Sequence, residues 1–127
     1  MIKTKRVTYT LTEDVIRFVD WYSDFRELSK SKLVLLCLID EGFILFEEEK
    51  DDVDVINHHS KKIKKTIPFT ITLPIDIALK LDYYHKKMGI PKSHLVDVSI
   101  TLLRKKVNLQ IDEEINELNE VSLMKLG

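Results

Sequence analysis

Residues 68–73, Pro68-Phe69-Thr70-Ile71-Thr72-Leu73, decide the fold, because residues 6–11 show the same pattern 62 positions earlier. The earlier stretch reads Arg6-Val7-Thr8-Tyr9-Thr10-Leu11. Both stretches alternate polar and apolar side chains with period two, which predicts a strand with one buried face. The repeat extends without a gap over residues 3–38 and 65–100, with twelve identical pairs in 36 positions. Such a repeat indicates two copies of one structural unit.

Each predicted strand is followed by two segments with helical periodicity. Val15, Val19 and Tyr22 form an apolar stripe on one helix face, and the second copy repeats that spacing. Pro74 suits the start of a helix, and Gly89 suits the left-handed residue that ends one. A second helix is expected directly after each of these first helices. The sequence therefore predicts a mainly helical protein with a short two-stranded β-ribbon.

The repeat divides the chain of 127 residues into four segments. They are a first strand-helix-helix unit (1–45), a charged linker (46–64), a second such unit (65–108) and an acidic amphipathic C-terminal helix (109–127). Each unit is close to the smallest size that can form a core alone, so the two are expected to pack on each other or on another chain. The C-terminal helix is expected to dock on something through its apolar positions.

The formal net charge of -1 hides a strong segregation of charge. Residues 61–109 contain eleven lysines and arginines against three aspartates. Residues 44–60 contain six acids against one lysine, and residues 110–127 contain five acids against one lysine. The locally basic second unit argues for a polyanionic partner, although the whole-chain charge does not. The lysine run at residues 61–65 is either a solvated approach to the strand or an arm that contacts phosphates.

Several classes of protein are not supported. Cys37 is the single cysteine, so no intrachain disulfide can form and a reducing compartment is expected. No apolar run is long enough to span a bilayer, and the basic start lacks the apolar core of a signal peptide. The adjacent pair His58-His59 does not have the usual spacing of metal ligands. No phosphate-binding loop or nucleophile–base motif is found. We therefore expect a soluble cytoplasmic protein with no metal, no cofactor, no membrane contact and no enzymatic activity.

Both units resemble the ribbon-helix-helix fold of the Arc/MetJ superfamily. The first, residues 6–12 followed by Leu28-Ser29-Lys30-Ser31, is similar to the plasmid copy-control repressors. The second, residues 70–74 followed by Gly89-Ile90-Pro91-Lys92-Ser93, is closer to the family consensus. The resemblance implies that the two motifs pair their strands and form an intramolecular pseudo-dimer, plus a C-terminal helix, although pairing between chains stays open. Single-chain tandem copies are similar to regulators of archaeal viruses and plasmids, whose site of action would be the host cytoplasm.

The resemblance also implies a role for particular side chains on double-stranded DNA. A two-stranded ribbon of this kind enters the major groove, and its outward side chains reach base edges. By position, the base-contacting residues would be Arg6, Thr8, Thr10, Thr70 and Thr72. The N-termini of the second helices would hold phosphates through Ser29, Lys30, Ser31, Lys92 and Ser93. The alternative is that the threonines are only good strand formers on a solvated face.

Pro68 stands where the first unit has Arg6, so the two halves of the ribbon are unequal. This predicts an asymmetric half-site, read mainly by Arg6, Thr8 and Thr10, with unequal contributions of Thr8 and Thr70. Proline cannot donate a hydrogen bond to a strand ladder.

A second stripe on the first helix consists of Phe18, Trp21 and Phe25. In the second unit, Trp21 and Phe25 are replaced by Tyr83 and Lys87, which are more polar. One interpretation is internal packing, with the C-terminal helix lying across the stripe. The other is a contact between protomers that forms a homo-oligomer, a dimer of pseudo-dimers.

Three functions are compatible with these features. The first is a sequence-specific transcriptional regulator, acting as a repressor by occluding a promoter. The second is an antitoxin, in which the same fold binds its own operator and the acidic tail binds a toxin, folding on binding. The third is an interaction module that has lost DNA binding, which the near-neutral net charge favours.

Overall fold

A computed structural model describes residues 3–48 and 66–126, with side chains up to residue 118. The elements in chain order are β1 (Thr4–Thr12), α1 (Glu13–Phe25), α2 (Lys30–Cys37), a π-helical turn (Leu38–Gly42), α3 (Phe43–Glu47), β2 (Thr66–Pro74), α4 (Ile75–Met88) and α5 (Lys92–Leu126). The protein is mainly helical with a two-stranded antiparallel sheet, as the sequence predicts. The lysine run at residues 61–65 and the pair His58-His59 lie outside the described residues.

The two strands pair along their full length. Thr4 lies opposite Pro74 and Thr12 lies opposite Thr66, in antiparallel register. Successive side chains of each strand point to opposite sides of the ribbon. The order of exposed and buried positions is the same in both strands. The buried side chains are Tyr9, Leu11, Ile71 and Leu73. One side of the ribbon therefore joins the core and the other is exposed.

Helices cover the buried side of the ribbon, since two strands alone are only marginally stable in water. Residues that are 62 positions apart take the same place in the core. Val19 and Leu81, the central positions of α1 and α4, are both 0 % exposed. Val34 and Val96, in α2 and α5, are also both 0 % exposed. The core is thus built from equivalent positions of the two sequence copies.

Helices α1 and α4 end through different versions of the same turn. Beyond α1, Glu27 has a φ of 55°, and the N–H of Leu28 donates to the carbonyl of Ser23 at 2.8 Å. Beyond α4, Gly89 has a φ of 68° and donates to the carbonyl of His85 at 2.9 Å. Both are left-handed helix ends, for which glycine is the usual residue. Helix α1 therefore ends at Phe25, before the left-handed Glu27.

The C-terminal segment is not a separate helix. Helix α5 runs without a break from Lys92 to Leu126, so the expected boundary at residue 109 falls inside it. The cause is local, since residues 105–112 contain no glycine or proline that would end a helix. Val107 is buried, whereas residues 108–118 are exposed. This part of α5 therefore extends beyond the body instead of docking on it.

The π-helical turn and α5 pack at very short distance. A Cβ atom added to Gly42 would lie 1.9 Å from the Oγ of Ser99. The Ser99 hydroxyl is itself buried and donates to the carbonyl of Leu95 at 2.7 Å. Only glycine fits at this crossing, because any side chain would occupy the space of Ser99. Nearby Cys37 is also buried, and burial raises the pKa of its thiol from 9.0 to about 12.

Candidate nucleic-acid interface

The exposed side of the ribbon carries every residue that the sequence assigns to base contact. These are Arg6, Thr8, Thr10, Thr70 and Thr72, and all five are exposed. Pro68, Thr4 and Thr66 are also exposed at these alternating positions. The row arises because positions two apart in a strand point to the same side. It forms a polar ridge between the N-termini of α2 and α5.

Thr8 and Thr70 lie at the centre of this ridge. They are directly opposite each other in the strand register, and they are also equivalent positions of the sequence repeat. Their Oγ1 atoms share a hydrogen bond of 2.7 Å. A pseudo-twofold axis that relates the two strands therefore passes between these two side chains. The neighbours of the two threonines differ, since Thr8 follows Arg6 on its strand and Thr70 follows Pro68.

The two ends of the ridge differ in chemistry. Arg6 lies opposite Thr72 at one end, whereas Thr10 lies opposite Pro68 at the other. The first end presents a guanidinium and a hydroxyl, which together offer several donors. The second end presents one hydroxyl and a proline ring. The two halves of the ridge are therefore unequal, as Pro68 in the place of Arg6 predicts; unequal contributions of Thr8 and Thr70 stay a prediction.

Two serines fix the helix N-termini beside the ribbon. Ser31, in the first turn of α2, accepts a hydrogen bond from the backbone N–H of Thr72 at 2.9 Å. Ser93, in the first turn of α5, accepts one from the N–H of Thr10 at 3.0 Å. The two bonds are equivalent under the repeat, and each joins one copy to the other. Each hydroxyl keeps its own proton, so it can still donate to a phosphate.

The N-termini of α2 and α5 are differently capped. Ser29 caps α2, since its side chain accepts from the N–H of Lys32 at 3.0 Å. Pro91 precedes α5, and its carbonyl accepts from the N–H of His94 at 3.0 Å. The first N–H groups of any helix lack partners within it and carry partial positive charge. Both ends can therefore bind an anion beside the ridge.

The predicted phosphate lysines each form an ion pair. Lys30 Nζ lies 2.7 Å from Asp20, and Lys92 Nζ lies 3.5 Å from Asp82. Lys86 also contacts Asp82, and its hydrogen bond, together with the charge of Lys92, lowers the pKa of that carboxyl. Exposed ion pairs of this kind contribute little to stability, because water screens them. An approaching phosphate can therefore compete for both lysines at small cost.

The end of the ridge that carries Arg6 continues into an open groove. Its lining includes Lys5, Arg6, His85, Lys92 and Ser93. The groove therefore connects the side chain proposed to read bases with the N-terminus of α5. Its lining contains no acidic residue. Lys5 and His85 were not among the sequence-predicted residues, because neither position matches a family motif and only the strand pairing brings them together.

Asp20 and Asp82 were also missed, although a signal for them was present. Both are identical pairs of the repeat, as are Lys30 and Lys92. Two opposite charges preserved at the same spacing in both copies indicate a structural ion pair. Reading the four charges together would have predicted these contacts.

The aromatic stripe of α1 divides into a buried and an exposed part. Phe18 is only 7 % exposed and stacks on Tyr22 with 5.2 Å between ring centroids. Trp21 and Phe25 are 49 % and 69 % exposed and stack on each other at 5.7 Å. The C-terminal helix does not cover them, contrary to the packing interpretation. Phe18 belongs to the core, so Trp21 and Phe25 are the exposed part of this stripe.

The described residues contain neither a side-chain cluster suited to a metal ion nor a helix suited to cross a membrane. Among the described residues, no group of three histidine, cysteine or acidic side chains is arranged to hold a metal ion. Within residues 3–48 and 66–126, no helix has the length and apolar character needed to cross a membrane.

A two-stranded ribbon beside helix N-termini is the arrangement of the β-ribbon class of DNA-binding domains. Residues 65–108 match the family model of the ribbon-helix-helix domain, which supports this family for the second copy. Ribbon-helix-helix domains bind DNA, usually dimerise and are typically non-enzymatic. They suggest a DNA-binding regulator or an antitoxin in general. No curated protein and no solved structure matches the sequence.

Proposed function

We propose that this protein is a sequence-specific regulator that binds double-stranded DNA and represses transcription by occluding a promoter. The observation that carries the proposal is the exposed ridge of Arg6, Thr8, Thr10, Thr70 and Thr72 between two helix N-termini. A two-stranded ribbon fits the major groove, where base edges carry a distinct pattern of donors and acceptors. The ribbon-helix-helix match of residues 65–108 supports the same function.

The two copies act together as an intramolecular pseudo-dimer of ribbon-helix-helix motifs. One chain supplies both strands of the ribbon and both phosphate-binding helix ends. The reciprocal bonds of Ser31 and Ser93, each to a strand of the other copy, support this view. Tethering raises the effective concentration of one motif for the other to the mM range. A single chain is therefore the unit that reads one stretch of DNA.

The target site is asymmetric. The end of the ridge with Arg6 and Thr72 reads one side of the site, and Arg6 binds a guanine bidentately there. The other end, with Thr10 and Pro68, makes fewer specific contacts. The central pair Thr8 and Thr70 reads the middle of the site, and Thr8, which follows Arg6 on the same strand, contributes more than Thr70. The chain thus binds its site in one orientation, unlike a symmetric dimer on a palindrome.

Phosphate contacts position the ribbon on either side. The N-terminus of α2 binds one phosphate through Ser29, Lys30 and Ser31. The N-terminus of α5 binds another through Lys92 and Ser93. Such contacts set the register of the protein on DNA and carry no sequence information. They require Lys30 and Lys92 to leave or share their aspartate partners.

Neighbouring chains contact each other on DNA through the exposed rings of Trp21 and Phe25, with Phe18 supporting them from the core. A single short ribbon makes few contacts, so binding to adjacent sites gains from such a contact. Trp21→Glu should then reduce cooperativity without changing the affinity for one isolated site. Unchanged cooperativity would remove this part of the proposal.

Selection of bound duplexes from a random DNA pool, at two salt concentrations, tests the function directly. We expect an enriched, non-palindromic motif and an affinity that falls steeply with salt, because phosphate contacts release counterions. Arg6→Ala should relax the base preference at one end and weaken binding about tenfold. Thr8→Ala should weaken it more than Thr70→Ala does, and equal losses would count against the asymmetric reading. Absence of enrichment at both salt concentrations would refute the proposal.

An antitoxin is the second candidate, favoured by the exposed acidic residues 111–118 of α5. In that function the ribbon binds the operator of its own gene and the tail binds a basic toxin. Limited proteolysis of the free protein separates the two functions. Cleavage confined to residues 110–127 favours the antitoxin, and a protected tail favours a structural role.

A further inference from the structure

Helix α5 continues its core-facing stripe beyond the body of the protein. Val107 is 6 % exposed and packs in the core. Ile111, Ile115 and Leu118 follow it on the same side of the helix, at steps of four, four and three residues. They are 38 %, 49 % and 67 % exposed. We call these three side chains the tail stripe. Three large apolar side chains in one row, unlike scattered single ones, indicate a contact surface.

Acidic residues surround the tail stripe. Asp112, Glu113, Glu114 and Glu117 lie in the same two turns of α5, and all four are exposed. A partner must therefore combine apolar side chains with positive charge. Two tail stripes cannot pair with each other favourably, because their acids would face one another.

Helix α4 carries a surface with the required chemistry. Leu79 and Tyr83 are 63 % and 56 % exposed and lie one turn apart. Lys80 and Lys87 are exposed beside them, and Lys87 lies over the Tyr83 ring at 5.8 Å. We call these four side chains the α4 surface. It spans about 12 Å along its helix, close to the roughly 10 Å spanned by the tail stripe.

The α4 surface differs in charge from the exposed aromatic pair Trp21 and Phe25 on α1. Helix α1 contains four acids against one arginine, so it repels an acidic helix. Helix α4 contains three lysines against two aspartates. The acidic tail therefore has a complementary surface on α4 and not on α1.

The tail stripe cannot reach the α4 surface of its own chain. Helix α5 is continuous, and Ile115 lies about 35 Å along it from Lys92. The stripe is exposed there, so the body of the same chain does not cover it. The chain that supplies the complementary surface is thus a second copy.

We propose that the tail stripe of one chain packs on the α4 surface of a second copy, and that the contact is made twice in a twofold symmetric dimer. Reciprocal exchange closes the assembly at two chains. Glu114 and Glu117 pair with Lys80 and Lys87 around the buried apolar side chains. The contact does not depend on DNA, so it goes beyond the proposed function and can be tested without it.

Sedimentation equilibrium of the full chain provides the first test. We expect a reversible dimer that weakens as salt increases, because the exposed charge pairs are screened. Ile115→Ser with Leu118→Ser should weaken the dimer about tenfold or more, and Leu79→Ser with Tyr83→Ser should do the same. A monomeric wild-type chain, or a dimer that resists both double variants, would overturn the proposal.

Exchange of the charges provides the sharper test. Glu114→Lys with Glu117→Lys gives one variant, and Lys80→Glu with Lys87→Glu gives the other. Each alone should be monomeric, since its tail and its α4 surface then carry the same charge. An equimolar mixture should restore the dimer, because both contacts of the mixed pair are complementary.

A matched control removes the effect of net charge. Arg17→Glu with Arg26→Glu changes the net charge as much as the lysine variant does, but at α1 and its C-cap instead of α4. Its mixture with the Glu114/Glu117 variant should form no more mixed dimer than wild type does with that variant. Equal restoration by this control, or no restoration by the lysine variant, would contradict the contact. Circular dichroism of each variant verifies the fold, which exposed substitutions should preserve.

Discussion

At the scale of single residues, Glu27 and Gly89 show how two copies of one unit tolerate different residues at the same turn. Both have left-handed backbone angles, with φ of 55° and 68°. A residue with a Cβ atom is strained there by about 1–2 kcal/mol, whereas glycine is not. Because glycine also loses more chain entropy on folding, Glu27→Gly should raise the free energy of unfolding by about 0.5–1 kcal/mol. Urea unfolding followed by circular dichroism measures this change.

The reverse substitution at the equivalent position is the control. A Cβ atom at Gly89 would meet no heavy atom within 4 Å, so Gly89→Ala introduces backbone strain without a clash. It should lower the free energy of unfolding by about 1 kcal/mol. Equal effects of the same sign at the two positions would show that the turn does not impose the cost.

Residue-scale features were predicted from the sequence only where periodicity determines them. The alternation of residues 6–11 and 68–73 predicted which strand side chains are exposed, and the burial of Tyr9, Leu11, Ile71 and Leu73 agrees. Glutamate itself gives no turn signal, but the repeat aligns Glu27 with Gly89, and that alignment would have indicated its left-handed conformation. Phe18 could not be placed, because a buried and an exposed aromatic have the same sequence spacing.

At the scale of elements, Gly42 controls how closely the π-helical turn approaches α5. A Cβ atom there would lie 1.9 Å from the Oγ and 2.9 Å from the Cβ of Ser99. Ser99 is buried within α5, so these two atoms cannot move away freely. Gly42→Ala should therefore destabilise the protein by about 1–3 kcal/mol through overpacking. Thermal and urea unfolding give the magnitude.

A double-mutant cycle with Ser99→Gly identifies the cause. This second substitution removes both atoms that the new methyl group would meet. The pair Gly42→Ala and Ser99→Gly should therefore be more stable than the sum of the single effects predicts. Additive effects would mean that Gly42 is required for its backbone conformation and not for its closeness to Ser99.

Helix α5 shows where sequence reading divides an element incorrectly. The second unit was expected to end at residue 108 because family resemblance ends there. The strongest signals of a helix end are glycine and proline, and residues 105–112 contain neither, although Asn108 is a weaker one. The hydrophobic stripe also continues through Val107 to Leu118 at unchanged spacing. Local signals thus favoured one long helix, and the resemblance alone suggested two.

At the scale of the whole molecule, the two halves share the order of strand, helix and helix but differ in chemistry and in how the second helix continues. Ser31 and Ser93, Lys30 and Lys92 and the central threonines follow the repeat. Asp97 departs from it, since it accepts hydrogen bonds from the N–H and Oγ1 of Thr12 at 2.9 and 3.0 Å. The equivalent positions are Leu35 and Pro74, which cannot form these bonds. The sequence repeat predicts the shared frame, and only the structure shows which contacts break it.

The connection of both strands in one chain has a measurable consequence for stability. If β1 and β2 pair within a chain, the free energy of unfolding is independent of protein concentration. If they pair between chains, each tenfold dilution removes about 1.4 kcal/mol of stability. The variant Lys80→Glu with Lys87→Glu is the suitable protein, because it excludes the contribution of the proposed tail contact. The urea midpoint should be measured over a hundredfold range of concentration.

The expected result is a constant midpoint. Strand pairing between chains would instead shift the midpoint by about 1–3 M urea over that range, since m-values of small domains are about 1–3 kcal/mol/M. Such a shift would mean that each ribbon takes one strand from each of two chains. The target site would then be symmetric only if like strands paired, because β1 paired with β2 always places Arg6 opposite Thr72. A constant midpoint together with a non-palindromic motif would connect the fold of one chain to the asymmetry of its site.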